Sequence, residues 1–263
     1  MIMSFVSQLD ASVNKARSVL TDSIFTGDLF RLADNIRQQI RPIAITILSL
    51  CFIIEFLNIL THQDILKWET GFKVGAKLVL TYVALDISSQ LMEAIYATGN
   101  DLIGKVQAVN MDMGGLIKDQ LRAALTGLGI LKTIGLLATI GIAFLIVWLA
   151  GVVILVIAYG RSIELLLHIA IAPIPCAFLI LEDHHGARIF WKFVMSFAAN
   201  CLQGFFIVLS ISLYNALVTQ IFETAISNGA DVAAITGGLL LGAVVLVVTV
   251  VKSGSIAKSI LDV

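Results

Sequence analysis

Three acids interrupt stretches that are otherwise apolar: Glu55, Asp86 and Glu93. A charge at the centre of a bilayer costs roughly 2.5–3.5 kcal/mol on insertion scales, so such residues either line an aqueous path or pair with a base. Asp86 and Glu93 are seven apart, which on a helix places them two turns apart on one face. Arg161, Glu164 and His168 also recur at helical spacing, an i,i+3 ion pair followed by an imidazole one turn later. They read as a structural polar cluster in preference to a proton relay. Asp183-His184-His185-Gly186 brings two imidazoles and a carboxylate together. Acyl transfer on such a string would need a thiol where Gly186 stands, so it reads as a solvated connector. Cys51, Cys176 and Cys201 lie singly in apolar runs, without the CxxC or Cys/His spacing of a metal site. They read as small buried hydrophobes. No HExxH, GxSxG or phosphate-binding glycine loop occurs in the sequence. Neither an enzyme nor a bound cofactor or metal is expected.

The elements that carry these residues follow from composition. Hydrophobic residues make up 59% of the 263 and charged ones 13%, with a mean hydropathy of +0.98. A soluble domain carries roughly 25% charged residues, so this chain needs lipid as its solvent. A net charge of −1 leaves no basic field to gather nucleic acid. Met1 to Leu20 contains Asp10, Lys15 and Arg17 and does not read as a signal peptide. Instead Ile2, Phe5, Val6, Leu9, Val13, Ala16 and Leu20 form the stripe of an amphipathic helix. Asp28 caps a second helix carrying Leu29, Leu32, Ile36 and Ile40.

The expected architecture is all-α: a polytopic helical membrane protein with an N-terminal amphipathic arm and about six hydrophobic spans. Residues 1–41 are the arm. Residues 42–97 hold two spans, 42–60 opening on Pro42 and 78–97 the least apolar. Residues 98–132 form a polar connector with its own amphipathic helix. Residues 133–251 are a membrane core of about four segments (133–160, 165–181, 193–222 and 232–251), and 252–263 a short tail. Segment 165–181 is interrupted by Ala172-Pro173-Ile174-Pro175 and reads either as a span or as a re-entrant hairpin. Most Lys and Arg then fall on segments placed inside by the six-span count, and the tail is cytoplasmic in either version. Asn200, Gln203 and Asn215 can bond across helices, and Ala234, Gly238 and Gly242 form a small-xxx-small ladder that lets a helix approach closely.

Arg161-Ser-Ile-Glu164, Ala172-Pro173-Ile174-Pro175, the Gly186 connector and Asn200-Cys201-Leu202-Gln203-Gly204 together resemble the TrbL-type polytopic inner-membrane channel subunits of conjugative type IV secretion systems. In size and layout the chain is most similar to the compact versions of Gram-positive conjugative elements. The resemblance covers roughly 133–251, with 1–132 matching in general plan only. It implies a non-enzymatic, homo-oligomeric subunit in the bacterial cytoplasmic membrane. Such a subunit works beside other membrane subunits and separate ATPases, with a DNA–protein substrate passing transiently. Two rivals stay open: a small ion- or proton-coupled transporter, motivated by Glu55, Asp86, Glu93 and His168, and a scaffold that recruits soluble partners through its arm.

Overall fold

The computed structural model describes residues 15, 18–20, 27–62, 68–107, 130–181, 184–227 and 232–262. Among them every regular element is helical, as the apolar periodicity requires. The stripe over residues 1–14, the amphipathic helix of the 98–132 connector and residues 228–231 lie outside the described residues.

Helix α1 runs Asp28–His62 without a break, so the arm's second helix and the first span are one element of 35 residues. Pro42 sits inside it, not at its start. The ring removes the backbone donor that would meet the Gln38 carbonyl; one turn later the Thr46 hydroxyl donates to the Pro42 carbonyl at 3.0 Å. In the first turns Arg37 and Gln38 both hold Asp34, at 2.7 and 2.9 Å.

The second expected span, 78–97, falls across the end of α2 (Trp68–Asp86) and the start of α3 (Ser88–Gln107), which bend by 58° at Ile87. The bend falls at a serine pair, Ser88-Ser89, a common cause of sharp kinks. The Ser88 hydroxyl donates to the Leu85 carbonyl at 2.8 Å in a buried position, competing with the backbone ladder.

Helix α4 (Ile130–Ile171) is 42 residues long and joins what reads in the sequence as two segments. Arg161 to Glu164, polar enough to suggest a boundary, contains no helix breaker. The chain turns at Ala172 and continues as α5 (Pro173–Ala177), with proline in its first turn where no donor is needed. A 3₁₀ turn, Phe178–Ile180, ends it. The expected polar connector after it is instead the start of α6 (His184–Ser227), and α7 (Val232–Ile260) completes the order.

Among the described residues, four helical stretches can cross a bilayer by length and composition: Asp28–Asn58, Trp148–Ile180, Gly186–Ile221 and Leu240–Ile260. The bent α2–α3 pair makes a fifth if it is one span. The all-α polytopic class is therefore as expected. The sixth segment is absorbed into the Trp148–Ile180 stretch, neither a separate span nor a hairpin.

The chain divides into two compact units. One comprises Met1–Asp22, Asn100–Arg161 and Leu202–Ala257, and the other Ser23–Gly99, Ser162–Cys201 and Lys258–Val263. In the first, Leu20, Ile103, Ile154, Ile207, Ile211 and Val250 form a closed core. Leu20, the last residue of the sequence stripe, is fully buried there. In the second, Leu85, Met92, Tyr96, Ile169, Cys176 and Phe197 pack together, and Leu48, Cys51, Ala177 and Ile180 form a smaller cluster. Lipid is as apolar as these side chains, so dispersion between close-packed helices holds such cores.

Candidate functional site: polar groups on the apolar helices

In the second unit, the acids of the apolar runs meet bases on neighbouring helices. Asp86 lies at the C-terminal end of α2, the end where the helix dipole disfavours an anion. Arg41 of α1 places Nη2 2.6 Å from its Oδ1, with both side chains half-exposed. Glu55, only 3% exposed, has Lys77 Nζ of α2 at 4.0 Å. Glu93 follows Asp86 across the 58° bend at Ile87, where the buried positions Leu85 and Met92 keep the same seven-residue spacing. Glu93 stands exposed on α3.

His168 bridges two helices. Its Nδ1 lies 2.8 Å from the Glu164 carbonyl and its Nε2 3.4 Å from the Ser196 hydroxyl, while Phe193 and Phe197 flank the ring at 5.4 and 6.0 Å. This is the geometry of an anchor between α4 and α6. Pro173 and Pro175 are buried in α5, and Asn200 is buried on α6. Gly99 lets α3 approach α6 so closely that a Cβ there would stand 3.0 Å from Cys201 Cβ.

In the first unit, Arg161 is 3% exposed although it lies near the middle of the Trp148–Ile180 stretch. Its guanidinium rests against Gly204 of α6, where an added Cβ would stand 2.6 Å from Nη2 and 2.7 Å from Nη1. Glu164, one turn after Arg161, is exposed. Gln203 lies against Gly254 of α7, 3.1 Å from where a Cβ would be. Gly238 meets Ile221 in the same way at 2.9 Å, and Gly242 is buried. The side chains of Ala234 and Asn215 lie outside the described residues.

Sequence reasoning finds Glu55, Asp86 and Arg161 but misses Arg41, Lys77 and Gly204, the groups that meet them. The available signal is opposite charge on consecutive apolar helices. Removing one partner of a buried pair costs more than removing both. Lys77→Met is therefore expected to lower the thermal midpoint of the detergent-solubilised chain, and Glu55→Gln in that background to restore much of it. Equal losses in the single and double variants would show that the 4.0 Å approach carries no coupling.

Helices this apolar, with their charges held against one another, define a polytopic membrane protein built on packing. The family model described as TrbL/VirB6 plasmid conjugal transfer like protein matches residues 10–173, more than half of the chain. The chain belongs to that family and is a component of a conjugal transfer system, a structural membrane subunit acting with other membrane components of the transfer machine. No curated protein matches it, and no solved structure does. The match takes in Arg161, Glu164 and Pro173 but ends before Pro175, Gly186 and Gly204. Most of it therefore lies before residue 133, where the sequence motifs show only a general plan.

Proposed function

We propose that the chain is a conduit-forming structural subunit in the bacterial cytoplasmic membrane, present in several copies with its C-terminus in the cytoplasm. Separate ATPases supply the energy and the DNA–protein substrate passes transiently. The observation that carries this reading is on α1. Leu29, Ile36, Ile43, Leu50 and Leu57 recur every seven residues along it and are all 40–65% exposed. A face that merely meets lipid need only be apolar. A strict seven-residue repeat is the period of a left-handed seam between helices. It continues into the charged arm, where Arg31, Asp34 and Arg37 stand beside it. The polar positions support the same reading over a proton-coupled transporter, because Glu55 and Asp86 approach Lys77 and Arg41 within the chain.

Single cysteines at Ile43 and Leu50 are expected to give cross-linked homo-oligomers in native membranes. Ser49→Cys, exposed but off the seam, should not. Equal yields at all three positions would remove the argument from α1. For the function itself, deletion of the gene should abolish conjugal transfer, with restoration by the intact chain. Unchanged mating frequency, or pH-driven solute uptake by the reconstituted chain, would overturn the conduit reading.

A further inference from the structure

Helix α3 differs from its neighbours in the surface it leaves open. Within the second unit its buried positions are Ser88, Met92, Tyr96 and Gly99, one stripe at steps of three and four. The opposite face carries Gln90, Glu93, Ala94, Ala97 and Thr98, all exposed, with Leu91 as its large apolar side chain. The large exposed side chains of α1 and α2 are of the other kind: Ile43, Leu50 and Leu57 on α1, Val79, Leu80 and Val83 on α2. Those helices present apolar surface to lipid or to another apolar helix. The α3 segment has the polar outer face of a helix that meets water.

Depth decides what that face can meet. A Cβ on Gly99 would stand 3.0 Å from Cys201 Cβ, so α3 and α6 touch at this level. Cys201 lies about three residues, or ~4 Å, from the midpoint of the Gly186–Ile221 stretch. Glu93 is six residues from Gly99, ~9 Å along α3. With that stretch centred in the bilayer, Glu93 stays inside the half-core of about 15 Å whichever way α3 tilts.

An acid at this depth does not face acyl chains without a heavy cost; it pairs with a base or faces water. Asp86 and Glu55 have their bases on neighbouring helices, whereas Glu93 meets none among the described residues. Ala94 and Ala97 beside it take little room, and Gln90 and Thr98 add polar groups to the same side. We propose that the Gln90–Thr98 face of α3 lines the water-filled path of the conduit. This rests on the conduit reading above and assigns part of its wall.

The test places single cysteines at Gln90, Ala94 and Ala97, and at the exposed apolar positions Leu167 of α4 and Val79 of α2, in membranes that carry the complete transfer machine. A membrane-impermeant methanethiosulfonate attacks only the ionised thiol, which forms in water and is suppressed in apolar surroundings. Cys51, Cys176 and Cys201 are buried, and the unsubstituted chain gives their background. The three α3 positions are expected to label roughly tenfold faster than Leu167→Cys or Val79→Cys. Leu167 is the depth-matched control, three residues from the midpoint of the Trp148–Ile180 stretch. Once labelled, the α3 variants should lose most of their conjugal transfer. Labelling no faster than at the controls would mean that lipid or a partner helix covers this face, and would overturn the proposal. So would complete labelling with transfer unchanged, which would make the water a blind crevice. Gene deletion reads the conduit function separately: transfer lost on deletion, with α3 unlabelled, keeps the chain in the machine and puts its wall elsewhere.

Discussion

Gly204→Ala is expected to destabilise the full chain by about 1–3 kcal/mol, the range for forcing extra atoms into a packed interior. The added Cβ would fall on the Arg161 guanidinium. In an open site that collision would be cheap, because a guanidinium is the far end of a flexible side chain. Here Arg161 is 3% exposed on a helix apolar enough to cross a bilayer. Moving it means finding another shielded place for a permanent charge, and exposure to hydrocarbon costs roughly 2.5–3.5 kcal/mol at mid-depth. The diagnostic result is the double variant. Arg161→Met with Gly204→Ala should recover part of the loss, giving a coupling of about 0.5–3 kcal/mol between residues 43 positions apart in sequence. Thermal unfolding in a single detergent reads all three chains. Strict additivity would show that the two residues do not act on each other.

The class of fold is legible because it rests on composition. A chain with 13% charged residues and long apolar runs has no soluble alternative. What composition does not reveal is continuity. Arg161 and Glu164 lower the hydropathy between two apolar runs as a loop would, yet residues 130–171 are one helix because nothing there breaks it. The converse error occurs at Ser88. Serine is common enough in helices to pass unnoticed, but a buried hydroxyl donating to Leu85 marks a 58° bend between α2 and α3. The polar sites show the same asymmetry. Buried acids announce themselves in an apolar run, whereas Lys77 and Arg41 read as ordinary flanking charges until the helices are placed side by side. Gly204 enters the sequence reading only as the end of the Asn200–Gly204 string, with no partner attached. Its meaning lies in what rests against it.

The largest single-site effect is expected at Gly186. A Cβ there would overlap the Phe178 carbonyl oxygen and stand 2.6 Å from Leu181 Cβ. Neither obstacle can swing aside. The Phe178 carbonyl accepts the Leu181 N–H at 3.2 Å and closes the turn that ends the Pro173–Ile180 segment. Moving that carbonyl opens the turn, and with it the packing of Ala177 and Ile180, both fully buried against Leu48 and Cys51 of α1. Gly186→Ala should therefore cost at least as much as Gly204→Ala, and Gly186→Val should prevent accumulation of folded chain in the membrane. Gly160 and Gly104 supply the controls, since nothing lies within 4 Å of a Cβ at either. Alanine there relieves the entropic cost of glycine in a helix and is expected to be stabilising by about 0.5–1 kcal/mol. The opposite signs matter, because a general intolerance of substitution in apolar helices would make all the variants worse. A Gly186→Ala chain that melts with the Gly160→Ala chain would show that α6 can slide away from the turn. The close approach would then be incidental to the fold. If the signs differ as expected, conjugal transfer measured with the same variants would show whether that contact is needed by the assembled machine or only by the chain.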